Sequence, residues 1–287
     1  MPLMSRLLAT VLATALPLSA AAQETLYFSA IPDEDETRLV ERFTAVADYL
    51  SEELGVPVEF VPVKSYPAAV TAFRNDQVQL AWFGGLSGVQ ARLLVDGARA
   101  IAQGDEDTSF VSYFIAHTDT GLTESEDFPE AARGMSFTFG AKTSTSGRLM
   151  PEYAIRENTG EAPEEFFDRV GFSGDHSQTL RLVASGAWQV GALNYTVYDQ
   201  AVADGAPEVE TAKVIWKTPP YPDYNWTIRG DVDARWGEGF ADKVQAALVG
   251  MDDPDLLAAF PRNAFIPAAN EDYAPIEQVA RDLDLLE

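Results

Sequence analysis

Met135-Ser136-Phe137-Thr138-Phe139-Gly140-Ala141-Lys142-Thr143-Ser144-Thr145-Ser146-Gly147-Arg148 runs from a strand-like stretch through a turn of small and hydroxyl residues into a helical one. A helix start leaves backbone N–H groups unpaired and carries the positive end of the helix dipole. Ser144, Thr145 and Ser146 would each add a hydroxyl donor there, which is the build of a cradle for a tetrahedral oxyanion. The same residue types are also common helix caps. The segment by itself leaves both readings open, and the rest of the chain has to decide between them.

On either side of this segment, short β-rich runs alternate with helical patterns. Leu26 to Ala30 reads as a strand. Glu34 to Leu54 reads as a helix in which Leu39, Phe43, Val46, Leu50 and Leu54 recur every three or four residues and Gly55 closes the end. A strand near Val56 to Val63, a helix from Pro67 through Phe73, a strand from Val78 to Phe83 and a helix from Leu86 to Val95 follow. Such alternation predicts an α/β fold with parallel sheets. After a strand at Ser112 to His117, the polar loop Thr118 to Glu130 reads as a crossing to a second lobe. There, strands at 135–139 and 190–194 and helices from Ser144, Pro163 and His176 form a second α/β unit. Ala212 to Trp216 leads back, and helices at 239–249 and 276–285 close the first lobe. The expected domains are residues 23–117 with 218–287 for lobe 1 and 118–217 for lobe 2, with a ligand held in the cleft at the carboxyl ends of the strands.

Met1 to Ala22 carries one early cation, Arg6, an apolar stretch from Leu7 to Leu16, and small residues before Gln23. This predicts a cleaved secretory signal peptide and a periplasmic mature chain of about 265 residues, enough for one large or two medium domains. The absence of cysteine removes disulfides, thiolate metal sites, a lipidated thiol and a cysteine nucleophile. Twenty basic residues against 45 acidic ones give a formal charge of −25. A general affinity for nucleic acid or anionic membranes is thereby excluded. An anion would have to be held by short-range dipoles inside a closed cleft, where distance and salt no longer screen them.

Four motifs then fall in one order: Lys64-Ser65-Tyr66 before a helix, Gln79-Leu80-Ala81-Trp82-Phe83-Gly84-Gly85, Ser144-Thr145-Ser146-Gly147 with Pro151 shortly after, and Ser173-Gly174-Asp175-His176 at the next helix. In this arrangement the chain resembles the periplasmic solute-binding proteins of phosphonate, phosphite and phosphate ABC importers, over nearly all of its length beyond the leader. Ile31 to Arg38 and Trp82 to Gly88 look like the subgroup labelled selenate-binding. The resemblance implies a type II periplasmic-binding fold, in which two α/β lobes close on a small oxyanion and deliver it to an ABC permease and its ATPase, as a monomer without a cofactor. It also implies a ligand-binding set. Ser144, Thr145 and Ser146 match hydroxyls and amides that hold the oxyanion, Tyr66 matches a phenol donor from the opposite lobe, and His176 matches a donor at a helix start, giving one N–H when neutral and two when protonated. Phe83 and Gly84 at a strand end, Asn194 and Tyr224 complete the set. A ligand-sensing protein of the same fold that feeds a membrane histidine kinase is the alternative.

The departures from the family pattern bear on the ligand. Aminoalkylphosphonate-binding members hold the amino group with two carboxylates, and an ungapped match places Thr196 and Tyr224 there, with Asp223 one residue from the second position. A family tyrosine stands here as Phe110, and Trp82, Phe83, Tyr195, Tyr221 and Tyr224 suit an aromatic-walled pocket for a small inorganic oxyanion such as selenate, selenite, phosphate or phosphite. The apparent cations near such a cleft are Lys142, Arg148 and His176. Catalysis is not expected. Gly85-Leu86-Ser87-Gly88-Val89 lacks the second glycine of a nucleophile elbow, two separated histidines offer no triad, and the carboxylates show no metal-ligand spacing.

Overall fold

The structure is a computed structural model that describes residues 23–33 and 36–286. The leader expected at 1–22, the pair Glu34-Asp35 and the side chain of Leu39 lie outside the described residues. Within them the strands are β1 Leu26–Ala30, β2 Val58–Phe60, β3 Leu80–Phe83, β4 Arg99–Gly104, β5 Ser112–His117, β6 Ser136–Phe139, β7 Arg169–Phe172, β8 Val190–Asn194, β9 Ala212–Lys217, β10 Asn225–Ile228 and β11 Phe265–Pro267. They form two sheets, one of order β11-β4-β10-β3-β1-β2 and one of order β7-β6-β8-β5-β9.

β1 lies parallel to β2 and β3 because the helices Glu36–Leu54 and Tyr66–Arg74 return the chain over the sheet between them. In the first of these helices Phe43, Val46, Leu50 and Leu54 are buried, and Gly55 ends it with φ +68°, a left-handed conformation that costs glycine little. The wholly parallel sheets expected from the sequence are corrected to mixed ones. β10 and β11 enter the first sheet antiparallel, and in the second β5 is reversed, running antiparallel to both of its neighbours, β8 and β9. β5 and β10 arrive from the other lobe and need no crossover helix, so nothing forces them into the parallel sense.

The expected lobe boundary also moves. Ser112–His117, expected in lobe 1, pairs with both β8 and β9, so by sheet membership the second lobe begins at Ser112 and ends at Lys217. The polar loop expected to cross between lobes instead packs on the second sheet, where the Ser125 N–H donates to the Ile215 carbonyl and the Trp216 indole N–H donates to the Glu126 carbonyl. The actual crossings are residues 105–111 and 218–224, held together by reciprocal hydrogen bonds of 2.9 Å between the backbones of Phe110 and Tyr221.

A buried ion pair ties this hinge to the first lobe. The Arg262 guanidinium donates to both oxygens of Asp107, Nε to Oδ2 at 2.7 Å and a terminal nitrogen to Oδ1 at 2.6 Å. Its Cζ lies 5.2 Å from the Tyr224 ring centre and 5.4 Å from that of Phe110. Asp107 sits on one crossing, and its carbonyl accepts from the N–H of Asp223 on the other at 3.0 Å. Removing one partner of such a pair strands a charge in a low dielectric. Arg262→Met should therefore lower the unfolding free energy by about 3–5 kcal/mol in urea denaturation, and adding Asp107→Leu should recover much of the loss. A loss below about 1 kcal/mol would mean that the pair does not brace the hinge.

Candidate functional site

Two helix starts face each other where the lobes meet. In the second lobe, Ser144 is extended (φ −80°, ψ 139°) and its Oγ accepts the Gly147 N–H at 3.0 Å, capping a wide π-helical turn, Thr145–Leu149, that runs into the helix Met150–Thr159. The amides of Thr145 and Ser146 open that turn and by position have no carbonyl one turn back to pair with. In the first lobe, Gly84 precedes the helix Gly85–Leu94. The Leu86 N–H of that helix donates 3.0 Å across the junction to Thr145 Oγ1. The backbones come this close only because the side chains are missing. A Cβ on Gly84 would stand 3.2 Å from both Asp223 Oδ1 and Thr145 Oγ1, and one on Gly147 would stand 3.0 Å from the His176 ring.

A third helix start, His176–Ala184, supplies His176. The ring is fully buried, and burial pushes its pKa down to about 3, so it is neutral. Nδ1 accepts the Asn194 N–H at 3.2 Å, which leaves the proton on Nε2, 3.4 Å from the Tyr66 hydroxyl. Of the two protonation states open from sequence, the structure selects the neutral one with a single donor. Tyr66 begins the helix Tyr66–Arg74 on the opposite lobe, is 1 % exposed and stays protonated, its pKa raised by burial first and by Asp33 second. The Ser144 hydroxyl acts in the opposite direction.

Asp223 was noted from sequence only as a neighbour of the second family position, yet its carboxyl lies inside this cluster. Oδ1 accepts the Gly85 N–H at 2.8 Å, while Oδ2 is fully buried and has no hydrogen-bond partner. Burial drives its pKa up to about 7; the Gly85 N–H and the hydroxyls of Thr145 and Ser146 oppose that rise, and Asp107 adds to it. A signal was present in Tyr221-Pro222-Asp223-Tyr224-Asn225-Trp226, a carboxylate surrounded by large aromatics in a segment joining two lobes.

The remaining expected residues fall into separate roles. Asn194 donates from Nδ2 to the Tyr224 hydroxyl at 2.9 Å, and that hydroxyl donates to Asp33 Oδ2 at 3.0 Å, a chain that spans both lobes. Asn194 Oδ1 also caps the helix Tyr195–Ala203 through the Val197 N–H. Phe83 points into the first lobe, edge-on to Phe73 with ring centres 5.7 Å apart. Tyr224 stacks on Trp82 with ring centres 5.4 Å apart and packs against Phe110 at the same distance with the rings tilted by 53°. The cations expected near the cleft are absent from the cradle. Arg148 is paired with Glu152 and lies over the Phe139 ring, and Lys142 is exposed over Phe172. Among the described residues, the charge nearest the hydroxyls is therefore the Asp223 carboxyl itself, and no group of three or more His, Cys, Asp or Glu is placed to hold a metal.

Comparison with known proteins places this arrangement. The sequence profile of the phosphonate ABC transporter periplasmic substrate-binding proteins matches residues 28–273. The protein named "Probable ABC transporter phosphite binding protein PhnD1" from Prochlorococcus marinus (strain MIT 9301) is 38 % identical over 266 residues, covering 90 % of each chain. The "Phosphonates-binding periplasmic protein" of Escherichia coli (strain K12) is 26 % identical over 210 residues, 72 % of this chain and 61 % of that one. The solved structure of Prochlorococcus marinus PhnD1 in complex with methylphosphonate superposes with a TM-score of 0.87, covering 91 % of this chain and 98 % of that one. The relatives are named for phosphite and phosphonate, which corrects the expected resemblance to a selenate-binding subgroup.

Tyr66→Phe and Ser146→Ala each remove one hydroxyl donor facing the cluster without opening a large cavity. Each is expected to weaken anion binding in isothermal titration about five- to twentyfold, the value of one hydrogen bond to a charged group. Wild-type affinity in both variants would move the ligand away from this cluster.

Proposed function

We propose, on the premise that this chain belongs to the periplasmic substrate-binding proteins of phosphonate ABC transporters, that its buried cradle takes a tetrahedral phosphorus oxyanion carrying one proton: phosphite, or a phosphonate with a small substituent. The family fixes the coarser part. The protein is a substrate-binding component of an importer, located in the periplasm, and not an enzyme. Delivery of the bound ligand to the permease is the family's role. Removal of residues 1–22 on export and a monomeric state are part of the same proposal.

The unpartnered Oδ2 of Asp223 carries the reading of the ligand. Hydroxyls and helix-start amides donate to ligand oxygens, whereas a carboxylate among them needs a proton in return. Phosphite and phosphonates lose their last proton near neutral pH, so they bring that proton with them. Sulfate and selenate are fully ionised and would have to find the proton on Asp223, at a cost of about 1.4 kcal/mol for each pH unit above its pKa. The methylphosphonate bound to the Prochlorococcus marinus relative supports this ligand class. The size limit comes from the region behind Thr196 and Tyr224, where a cavity of about 20 Å³ has room for about one water and none for an aminoethyl tail.

Isothermal titration of ligand-free protein at pH 7.5 with phosphite, methylphosphonate, 2-aminoethylphosphonate, phosphate, sulfate and selenate tests the proposal. Phosphite or methylphosphonate should bind at least about tenfold more tightly than sulfate and selenate. Asp223→Asn, which donates where the carboxylate accepts, should erase most of that difference. Equal affinity for selenate and phosphite in the wild type would refute the role of the proton.

A further inference from the structure

The turn that carries the cradle leaves one carbonyl without a backbone partner. In this π-helical stretch N–H groups reach back five residues: that of Leu149 donates to the Ser144 carbonyl at 3.0 Å and that of Met150 to the Thr145 carbonyl. The next donor in the series, for the Ser146 carbonyl, would be the amide of Pro151, and proline has no N–H. The Met150 N–H, one residue nearer, is already engaged with Thr145. Ser146 is buried, so its carbonyl would be stranded in the interior.

A side chain from outside the helix fills the gap. The Ser112 hydroxyl donates to the Ser146 carbonyl at 2.7 Å, and the Tyr221 hydroxyl lies 2.5 Å from Ser112 Oγ. A carbonyl only accepts, so the one proton of Ser112 is committed to it and Tyr221 must be the donor to Ser112. Burial first and Asp223 second raise the pKa of Tyr221, so the phenol keeps the proton that this needs. Ser112, the first residue of the second lobe, is fixed by the same crossing that carries Tyr221: its N–H donates to Thr218 Oγ1 at 2.9 Å, and its carbonyl accepts the Thr218 N–H at 3.0 Å. On the far side of the Ser146–Gly147 peptide group, the Gly147 N–H donates to Ser144 Oγ at 3.0 Å. That acceptor role leaves the Ser144 proton to turn away from the turn's backbone and into the cluster.

We propose that Tyr221 and Ser112 are positioning residues for the oxyanion: they head a one-way chain of hydrogen bonds, from Tyr221 to Ser112 to the Ser146–Gly147 peptide to Ser144, that begins on the hinge crossing and ends with the Ser144 hydroxyl directed at the ligand. Tyr221 acts through Ser112 rather than by touching the anion. In such a chain each bond polarises the next, by about 10–30 %. Pro151 makes the chain necessary, since an N–H at that position would satisfy the Ser146 carbonyl within the helix. The inference deepens the proposed oxyanion function and rests on it.

Isothermal titration with phosphite tests the chain in a double-mutant cycle. Tyr221→Phe keeps the ring and removes only the hydroxyl, and it should weaken binding about three- to tenfold, the worth of one hydrogen bond. Ser112→Ala should weaken it at least as much. Because Tyr221 reaches the cradle through Ser112, the double variant should bind within about twofold of Ser112→Ala alone. The second readout needs only the single variant: in ligand-free Tyr221→Phe the amide-proton resonance of Gly147 should move upfield as its bond to Ser144 weakens. Wild-type phosphite affinity in Tyr221→Phe, even with a lower unfolding midpoint in urea, would reduce Tyr221 to a structural role and overturn the chain. Losses that multiply in the double variant, or an unmoved Gly147 resonance, overturn it too. These results leave the cradle standing, whereas no phosphite or methylphosphonate binding by the wild type overturns cradle and chain together.

Discussion

A carboxyl group buried without a cation governs the cleft. Asp223 lies among helix starts and hydroxyls with one oxygen held by the Gly85 N–H and the other unmatched. Burial costs a carboxylate heavily unless it is paired, and here it is left near the middle of its titration. The surrounding groups are arranged around that fact. His176 is neutral, Tyr66 is protonated, Arg148 is turned away onto Glu152, and Arg262 is spent on Asp107. The result is a cradle rich in donors with one acceptor, which matches an oxyanion that still carries a proton and mismatches one that does not.

The same arrangement gives the ligand control over closure. Thr145 to Leu86, Tyr66 to His176 and Asn194 through Tyr224 to Asp33 are hydrogen bonds that exist only when the lobes are together. Closing without a ligand would bury the free oxygen of Asp223 and the unpaired amides at the start of the cradle helix, each a penalty of about 1–3 kcal/mol. A ligand that satisfies them removes that penalty in the closed state alone, which is the differential interaction that a population shift requires. The hinge does not supply this switch. Its two crossings are paired with each other at Phe110 and Tyr221 and pinned to the first lobe through Asp107 and Arg262, so that it bends at a defined place.

Much of this was legible in the sequence where a local pattern carries the information. The hydroxyl run at 144–146 lies at a helix start, Tyr66 and His176 also begin helices, and Val190–Asn194 is the strand that its composition predicts. What escaped depended on the partner rather than the segment. Ser112–His117 reads as a strand, but only its pairing with β8 and β9 places it in the second lobe. Arg99–Gly104 and Asn225–Ile228 were not anticipated: the first is made largely of alanine, glutamine and glycine, and the second, Asn-Trp-Thr-Ile, is strand-prone but only four residues long, so both gain their order from the sheet around them. The hydroxyl of Thr145 was expected to hold the ligand, and its oxygen also receives an N–H from the other lobe. Asp223 was named only as the neighbour of a family position, because an ungapped match cannot register which of two neighbours turns inward.

The most direct test of the central claim is a proton count. Isothermal titration of the wild-type protein with phosphite at pH 8.5, repeated in buffers of different ionisation enthalpy, reports how many protons the complex takes up. At that pH both free partners have lost the proton that the bound pair shares, so close to one proton should be absorbed for each ligand bound. An uptake of zero would mean that Asp223 and the ligand share no proton, and the account of the site would fail.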